Sequence, residues 1–239
     1  TWTDPRGHVD LDAVRHLYAP DLGPFFVRTA AVSVENSHNF AGGTVQPVER
    51  LRALRDWADE AGVRVHLDGA RIWNAHVASG VPLADYGACA DVLAVCLSKG
   101  LGAPVGSALC GSAELIARAR RIRKMAGGAM RQAGMLAAAA SWALDHHVAR
   151  LAQDHALAQR LADALQGIPE LRVVPPQTNI LFVDLAGVAK SRGDALIAHL
   201  KAHGVLATGL YRLRFVTHLD VDQAGIDRAA VAVRQFFSR

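Results

Sequence analysis

VRVHLDGAR, residues 63–71, is the stretch on which the fold turns. Val63, Val65 and Leu67 alternate with Arg64 and His66, the period of a half-buried strand. That strand runs into an acid, a glycine and then, three residues past Asp68, an arginine. Upstream, residues 32–35 end a short strand, and a polar loop containing Gly42 and Gly43 follows. Pro47 then opens a helix with Leu51, Leu54, Ala58 and Ala61 at helical spacing, which Gly62 stops. Downstream, a loop and a helix lead to an apolar strand at 92–97 and another at 106–110. Strand, helix and strand in short units make an α/β sheet, in which function gathers at the carboxyl ends of the strands. Three polar clusters fall there: Glu35 with Asn36, His66 to Arg71, and Ser98 with Lys99.

Beyond residue 111 the pattern changes. Ser112 is a helix N-cap for a basic helix to about Lys124; Gly127 and Gly128 break it, and a long helical stretch at 131–147 follows. An amphipathic helix at 148–165 leads into strands at 171–174 and 180–184, a helix at 194–203, a strand at 212–216 and a last helix at 222–237. The expected organisation is a large α/β domain over 1–150, with a mainly parallel sheet, and a smaller C-terminal α+β domain over 151–239.

With 239 residues, 51% of them hydrophobic and 20% charged, the chain can bury a core. No run approaches the roughly 18 to 20 apolar residues of a membrane helix, so no membrane partner is expected. Thr1 is followed by no basic, apolar leader, which points to a cytoplasmic protein that is either processed or part of a longer chain. Cys89, Cys96 and Cys110 lack CxxC spacing and suit reduced, buried thiols. The net charge of +4 is modest, but Arg118, Arg120, Arg121, Arg123 and Lys124 crowd one segment. Without interleaved aromatic residues or a nucleic-acid module, a solvated helix face explains them better than RNA or DNA.

Asp68 and Lys99 are the sharp features: a carboxylate at one strand end and an amine at the end of a later strand. Enzymes that use pyridoxal 5'-phosphate need that pair, the lysine for a Schiff base with the cofactor aldehyde and the acid to keep the pyridine nitrogen protonated. The glycines at 100 and 102 allow close backbone approach to a flat cofactor. Taken alone, a lysine at a strand end is more often a snorkelling cation. His199 and His203 share a helix face without a visible third ligand, and His66 shares a strand face with Asp68, where the cofactor reading has the advantage of explaining Asp68 and Lys99 together, so no metal is expected.

VENSHNFAGG (34–43), VHLDGARIWNA (65–75), CLSKGLGAPVGSALCG (96–111), RARRIRKMAGGAMRQAGMLAAAA (118–140), TNILFVDL (178–185) and RFVTHLDV (214–221) occur in this order along nearly the whole chain. Together they closely resemble the low-specificity L-threonine aldolases, pyridoxal-phosphate enzymes of the aspartate-aminotransferase fold, or fold type I. The resemblance implies an α/β PLP-dependent transferase-like large domain and a smaller C-terminal domain. It implies Lys99 as the Schiff-base lysine, Asp68 as the partner of the pyridine nitrogen, and Arg71 and Arg214 as the arginines that hold the substrate carboxylate. Ser98 is a candidate for the cofactor phosphate. Lys124 and Arg131 match a basic glycine loop that reaches the site across a subunit interface, which implies a homotetramer built from dimers. His38 and Asn39 match a motif near the cofactor without an assigned step.

The implied reaction is retro-aldol cleavage of L-threonine or L-allo-threonine to glycine and acetaldehyde. The family's phosphate cradle, ring-stacking residue and one substrate-binding serine precede the position matching Thr1, so the expectation is part of a complete, active enzyme, with a truncated, non-catalytic subunit as the other possibility. β-Elimination, racemisation and hydroxymethyl transfer could use the same Lys99 and Asp68.

Overall fold

Alternating burial along the first strands builds a sheet with one covered face. In β1 (Ala31–Glu35), Val32 and Val34 are buried; in β2 (Arg64–Gly69), Val65 and Leu67 are, and in β3 (Val92–Cys96), Val95 is. These side chains pack with Leu51, Leu54, Trp57 and Ala58 of helix α2 (Val48–Glu60) and with Ile72 and Ala75 of α3 (Ile72–Ser79). The opposite face carries Ser33, Glu35, His66 and Asp68, as a period of two requires. Ser33 Oγ and His66 Nδ1, opposite one another in the register, hydrogen-bond at 2.7 Å.

The computed structural model describes residues 2–209 and 212–238 and divides into two units, Thr1–Ala149 and Arg150–Arg239. In the first, the sheet order is β1-β2-β3-β4, with β4 spanning Ser107–Gly111. β1, β2 and β3 run parallel; β4 returns antiparallel to β3 and is an exposed edge. The expectation of a mainly parallel sheet therefore holds, with one reversed strand.

Several local expectations need correction. The segment after β2 holds two helices, α3 and α4 (Leu83–Ala88), because Gly80 takes a left-handed conformation (φ 71°) and Pro82 follows it. A short helix, α1 (Leu11–Leu17), precedes β1; Asp10 caps it by accepting from the N–H groups of Asp12 and Ala13. Ser112 does cap the basic helix α5 (Ala113–Met125), none of whose residues is buried. Helix α6 (Gly134–His147) begins three residues later than expected, after Gln132 adopts φ 49°. Arg131 thus lies outside the helix. Of the three cysteines only Cys89 is buried; Cys96 is half-buried and Cys110, on the edge strand, is exposed.

The second unit begins with α7 (Leu151–Leu165) and holds an antiparallel sheet, β5-β6-β7, of Leu171–Val173, Ile180–Leu185 and Leu213–Val216. A 3-10 segment, Gly187–Arg192, leads into α8 (Gly193–Ala202), and α9 (Gln223–Phe237) closes the chain. Leu161, Leu165, Leu181, Val183, Leu196, Phe215, Ile226 and Val233 form its separate core. Among the described residues no helix is long and apolar enough to cross a membrane.

Candidate active site

The three polar clusters come together at one end of the parallel strands. Glu35 and Asp68 are directly paired in the β1–β2 register, and Asp68 lies opposite Ala94 in β3. Lys99 follows the end of β3 by three residues, so Asp68 and Lys99 leave the carboxyl ends of neighbouring parallel strands. Gly69 makes that neighbourhood close: a Cβ there would stand 2.6 Å from Leu93 Cδ1 and 3.0 Å from the Ala94 carbonyl oxygen.

Asp68 is held through both its backbone and its side chain. Its carbonyl accepts from the N–H of Asn36 at 2.9 Å, and its Oδ1 accepts from the N–H of Ala70 at 3.0 Å. The carboxylate borders a cavity of about 380 Å³, shared with Trp2, Ser33, Glu35, His38 and Gln46. Gln46 holds the loop after β1 in place: its N–H donates to Asn36 Oδ1, and its side-chain amide donates to the carbonyls of Gly7 and Glu35. His38 Nδ1 accepts from the N–H of Ala41 at 3.1 Å, while the N–H of Asn39 donates to Glu35 Oε1 at 3.1 Å.

Arg71 is the N-cap residue of α3 and is half-buried. Among the described residues it makes no salt bridge within 4.0 Å. Burial pushes its guanidinium below the usual arginine value, against the opposing pull of Glu35, Cys96 and Asp68. A half-buried cation without a paired acid is costly to fold and well suited to an incoming carboxylate. Two residues on, Trp73 donates its indole N–H to the Cys96 carbonyl at 3.1 Å and so ties α3 to the end of β3.

Ser98 and Lys99 are both exposed. They sit on a tight turn in which the N–H of Gly102 donates to the Lys99 carbonyl at 2.9 Å and the N–H of Ala103 to that of Leu97 at 3.0 Å. Gly102 supplies the left-handed conformation (φ 70°) that the turn requires. The structure therefore brings the Asp68 strand and the Lys99 turn side by side, with Arg71 on the Asp68 segment. Lys124 lies on the exposed α5 and Arg131 in the loop before α6, both solvent-facing. Arg214 belongs to the second unit, half-buried on β7 opposite Phe182.

His199 and His203 have structural partners. His199 Nε2 donates to the Ala232 carbonyl, and His203 Nδ1 to that of His199. Among the described residues no three His, Cys, Asp or Glu side chains cluster as metal ligands. Glu35 is the residue that sequence reading placed at a strand end without giving it a role. Its register pairing with Asp68 and its field on Arg71 put it at this site.

A carboxylate and a lysine leave adjacent strand ends of an α/β sheet, with an arginine beside them that has no salt-bridge partner among the described residues, and the fold is that of the fold type I pyridoxal-phosphate enzymes. Residues 2–187 match the model of the beta-eliminating lyase family. The low specificity L-threonine aldolase of Escherichia coli is 42% identical over 233 residues, which cover 98% of this chain and 68% of that protein. Low-specificity L-threonine aldolase 1 of Arabidopsis thaliana is 36% identical over 225 residues, 92% of this chain and 63% of the relative. The chain thus spans about two thirds of these relatives' length. It belongs to the beta-eliminating lyase family and, within it, to the threonine aldolases.

Solved structures agree on the fold. The Leishmania major threonine aldolase superposes with a TM-score of 0.76 at 20% identity, over 95% of this chain and 66% of that one. The cysteine desulfurase CsdA of Escherichia coli gives 0.71 at 19% identity, over 99% and 64%. One fold therefore carries both of those enzymes.

Proposed function

We propose that this chain is the pyridoxal-phosphate-binding part of an aldehyde-lyase that cleaves L-threonine and L-allo-threonine to glycine and acetaldehyde, and related β-hydroxy-α-amino acids to glycine and the matching aldehyde. The observation that carries the proposal is the Asp68 strand end beside the Lys99 turn, with Arg71 half-buried and without an acidic partner among the described residues. The donor set suits the cofactor. Asp68 has one carboxylate oxygen bonded to its own loop and borders a cavity large enough for a small ring, and Lys99 offers an exposed primary amine.

When bound, pyridoxal phosphate supplies an aldehyde carbon for an amine and an electron sink for the charge left at the substrate Cα. The protein does the rest. Lys99 would hold the cofactor through its side-chain amine. Asp68 would favour a protonated pyridine nitrogen by placing negative charge beside it. Ser98 would hold the phosphate. Arg71 and Arg214 grip the substrate carboxylate through paired hydrogen bonds and thereby set which bond at Cα is aligned to break. Alignment of Cα–Cβ, with loss of the β-hydroxyl proton to a base, releases the aldehyde; a proton delivered to Cα gives glycine.

The large domain, 1–150, binds the cofactor, and the small domain spans 151–239. Lys124 and Arg131 complete the site of a neighbouring subunit in a cytoplasmic homotetramer, a dimer of dimers, that serves threonine catabolism and glycine formation. Titration with pyridoxal phosphate followed by a coupled acetaldehyde assay tests cofactor and reaction together. A visible cofactor band with equimolar glycine and acetaldehyde from threonine supports the proposal. A band with pyruvate and ammonia from β-substituted amino acids would replace it with β-elimination, and no band would make the chain a non-catalytic subunit.

A further inference from the structure

The turn that carries Lys99 owes its shape to bonds among its own residues: Leu97 N–H to the Gly106 carbonyl, Ala103 N–H to Leu97 and Gly102 N–H to Lys99. Bonds of that kind set a shape but do not fix its place. On the strand side, Trp73 anchors the turn through the Cys96 carbonyl. On the far side the anchor is His147, the last residue of α6, whose Nδ1 lies 2.6 Å from the Leu101 carbonyl oxygen. A carbonyl only accepts, so Nδ1 carries the proton and the imidazole tautomer is set. The ring is further oriented by Trp142, edge-on with centroids 4.8 Å apart. The Leu101 side chain is fully buried, and the hydrogen bond spans 46 residues of sequence.

We propose that His147 is a positioning residue: by donating from Nδ1 to Leu101 it holds the Lys99 turn against α6 and keeps the lysine presented to the cofactor. This rests on Lys99 being the cofactor lysine. His147 touches no reacting atom and acts through the backbone two residues past Lys99.

Three variants of the full chain test it. Asparagine places an amide N–H near the position of Nδ1, glutamine places one near Nε2, and phenylalanine keeps a ring without a donor. In cofactor-free protein, trypsin cleavage after Lys99, followed by mass spectrometry, reads the freedom of the turn. H147F and H147Q should raise that rate about fivefold, the scale of one lost hydrogen bond, and H147N should stay within about twofold of the parent. After loading and borohydride reduction, the fraction of Lys99 peptide carrying cofactor mass should fall in the same order. Equal cleavage in H147N and H147Q, or no change in H147F, would overturn the proposal. If H147F does not fold, the Asn and Gln pair decides alone. Absence of cofactor mass on Lys99 in the parent protein sinks the cofactor assignment, while the cleavage rates still judge the clamp.

Discussion

The two ends of the parallel strands treat charge in opposite ways. At the amino end, Asp91 just before β3 accepts from Arg55 at 2.7 Å, from Arg64 at 2.7 Å and from the Val65 N–H at 2.8 Å. Despite the opposing effect of burial, these donors hold its carboxyl at about 2, well below the ordinary 3.8. At the carboxyl end, Asp68, Arg71 and Lys99 have no salt-bridge partner within 4.0 Å among the described residues. Coulomb energy is thus used internally at one end and left open at the other, where a ligand's charges can take it up. Aspartate and arginine occur at both ends, so partners rather than residue type distinguish the two sets of charges.

Replacing Lys99 should break the comparison most severely. K99A, folded and exposed to pyridoxal phosphate, is expected to lose threonine cleavage by about ten-thousandfold, because among the described residues no other lysine follows a strand that neighbours the Asp68 strand. Appreciable acetaldehyde release by that protein, loaded with cofactor, would remove the carboxyl end from the chemistry. D68N comes next. It keeps the shape and the bond to the Ala70 N–H but loses the charge that would support a protonated pyridine nitrogen, and kcat should fall by about a hundredfold to a thousandfold. Unfolding midpoints of both variants should match the parent or exceed it, which separates them from the amino end. R71K follows, with a loss of about ten- to a hundredfold in kcat/KM carried mainly by KM, since an ammonium cannot reproduce a bidentate grip on a carboxylate.

Sequence alone carried the strands, because Val32, Val34, Val65 and Leu67 mark one face by a period of two, and it placed Asp68 and Lys99 at strand ends because both stand where apolar runs end. The direction of β4 was not legible, since pairing partners such as Leu93 with Cys110 are a property of the folded sheet. Nor was the start of α6, which depends on the φ of Gln132, a residue without the glycine signature of a left-handed turn. Glu35 was visible as a polar residue at a strand end, but its weight comes from facing Asp68 across 33 residues of sequence. Asp91, Arg55 and Arg64 were equally hidden, because nothing local in the chain announces that they converge. His147 was visible only as the end of a long helical stretch.

The smallest effect on activity and the clearest on stability belong to Asp91. D91N retains a side chain of the same size but not the charge that two guanidinium groups and an N–H share, so unfolding free energy at pH 7 should fall by about 1 to 2 kcal/mol with kcat/KM unchanged within about twofold. The sign follows from the direction of the shift. A carboxyl held at about 2 when folded and near 3.8 when unfolded stabilises the protein fully above pH 4 or so, and that contribution is lost as pH falls through about 2. By pH 3 roughly half of it is gone, so the gap between parent and D91N in urea unfolding should be about half its value at pH 7. A gap that does not change between the two pH values would mean that D91N acts through packing. A D91N protein that lost activity while keeping its stability would erase the distinction between the two ends of the sheet.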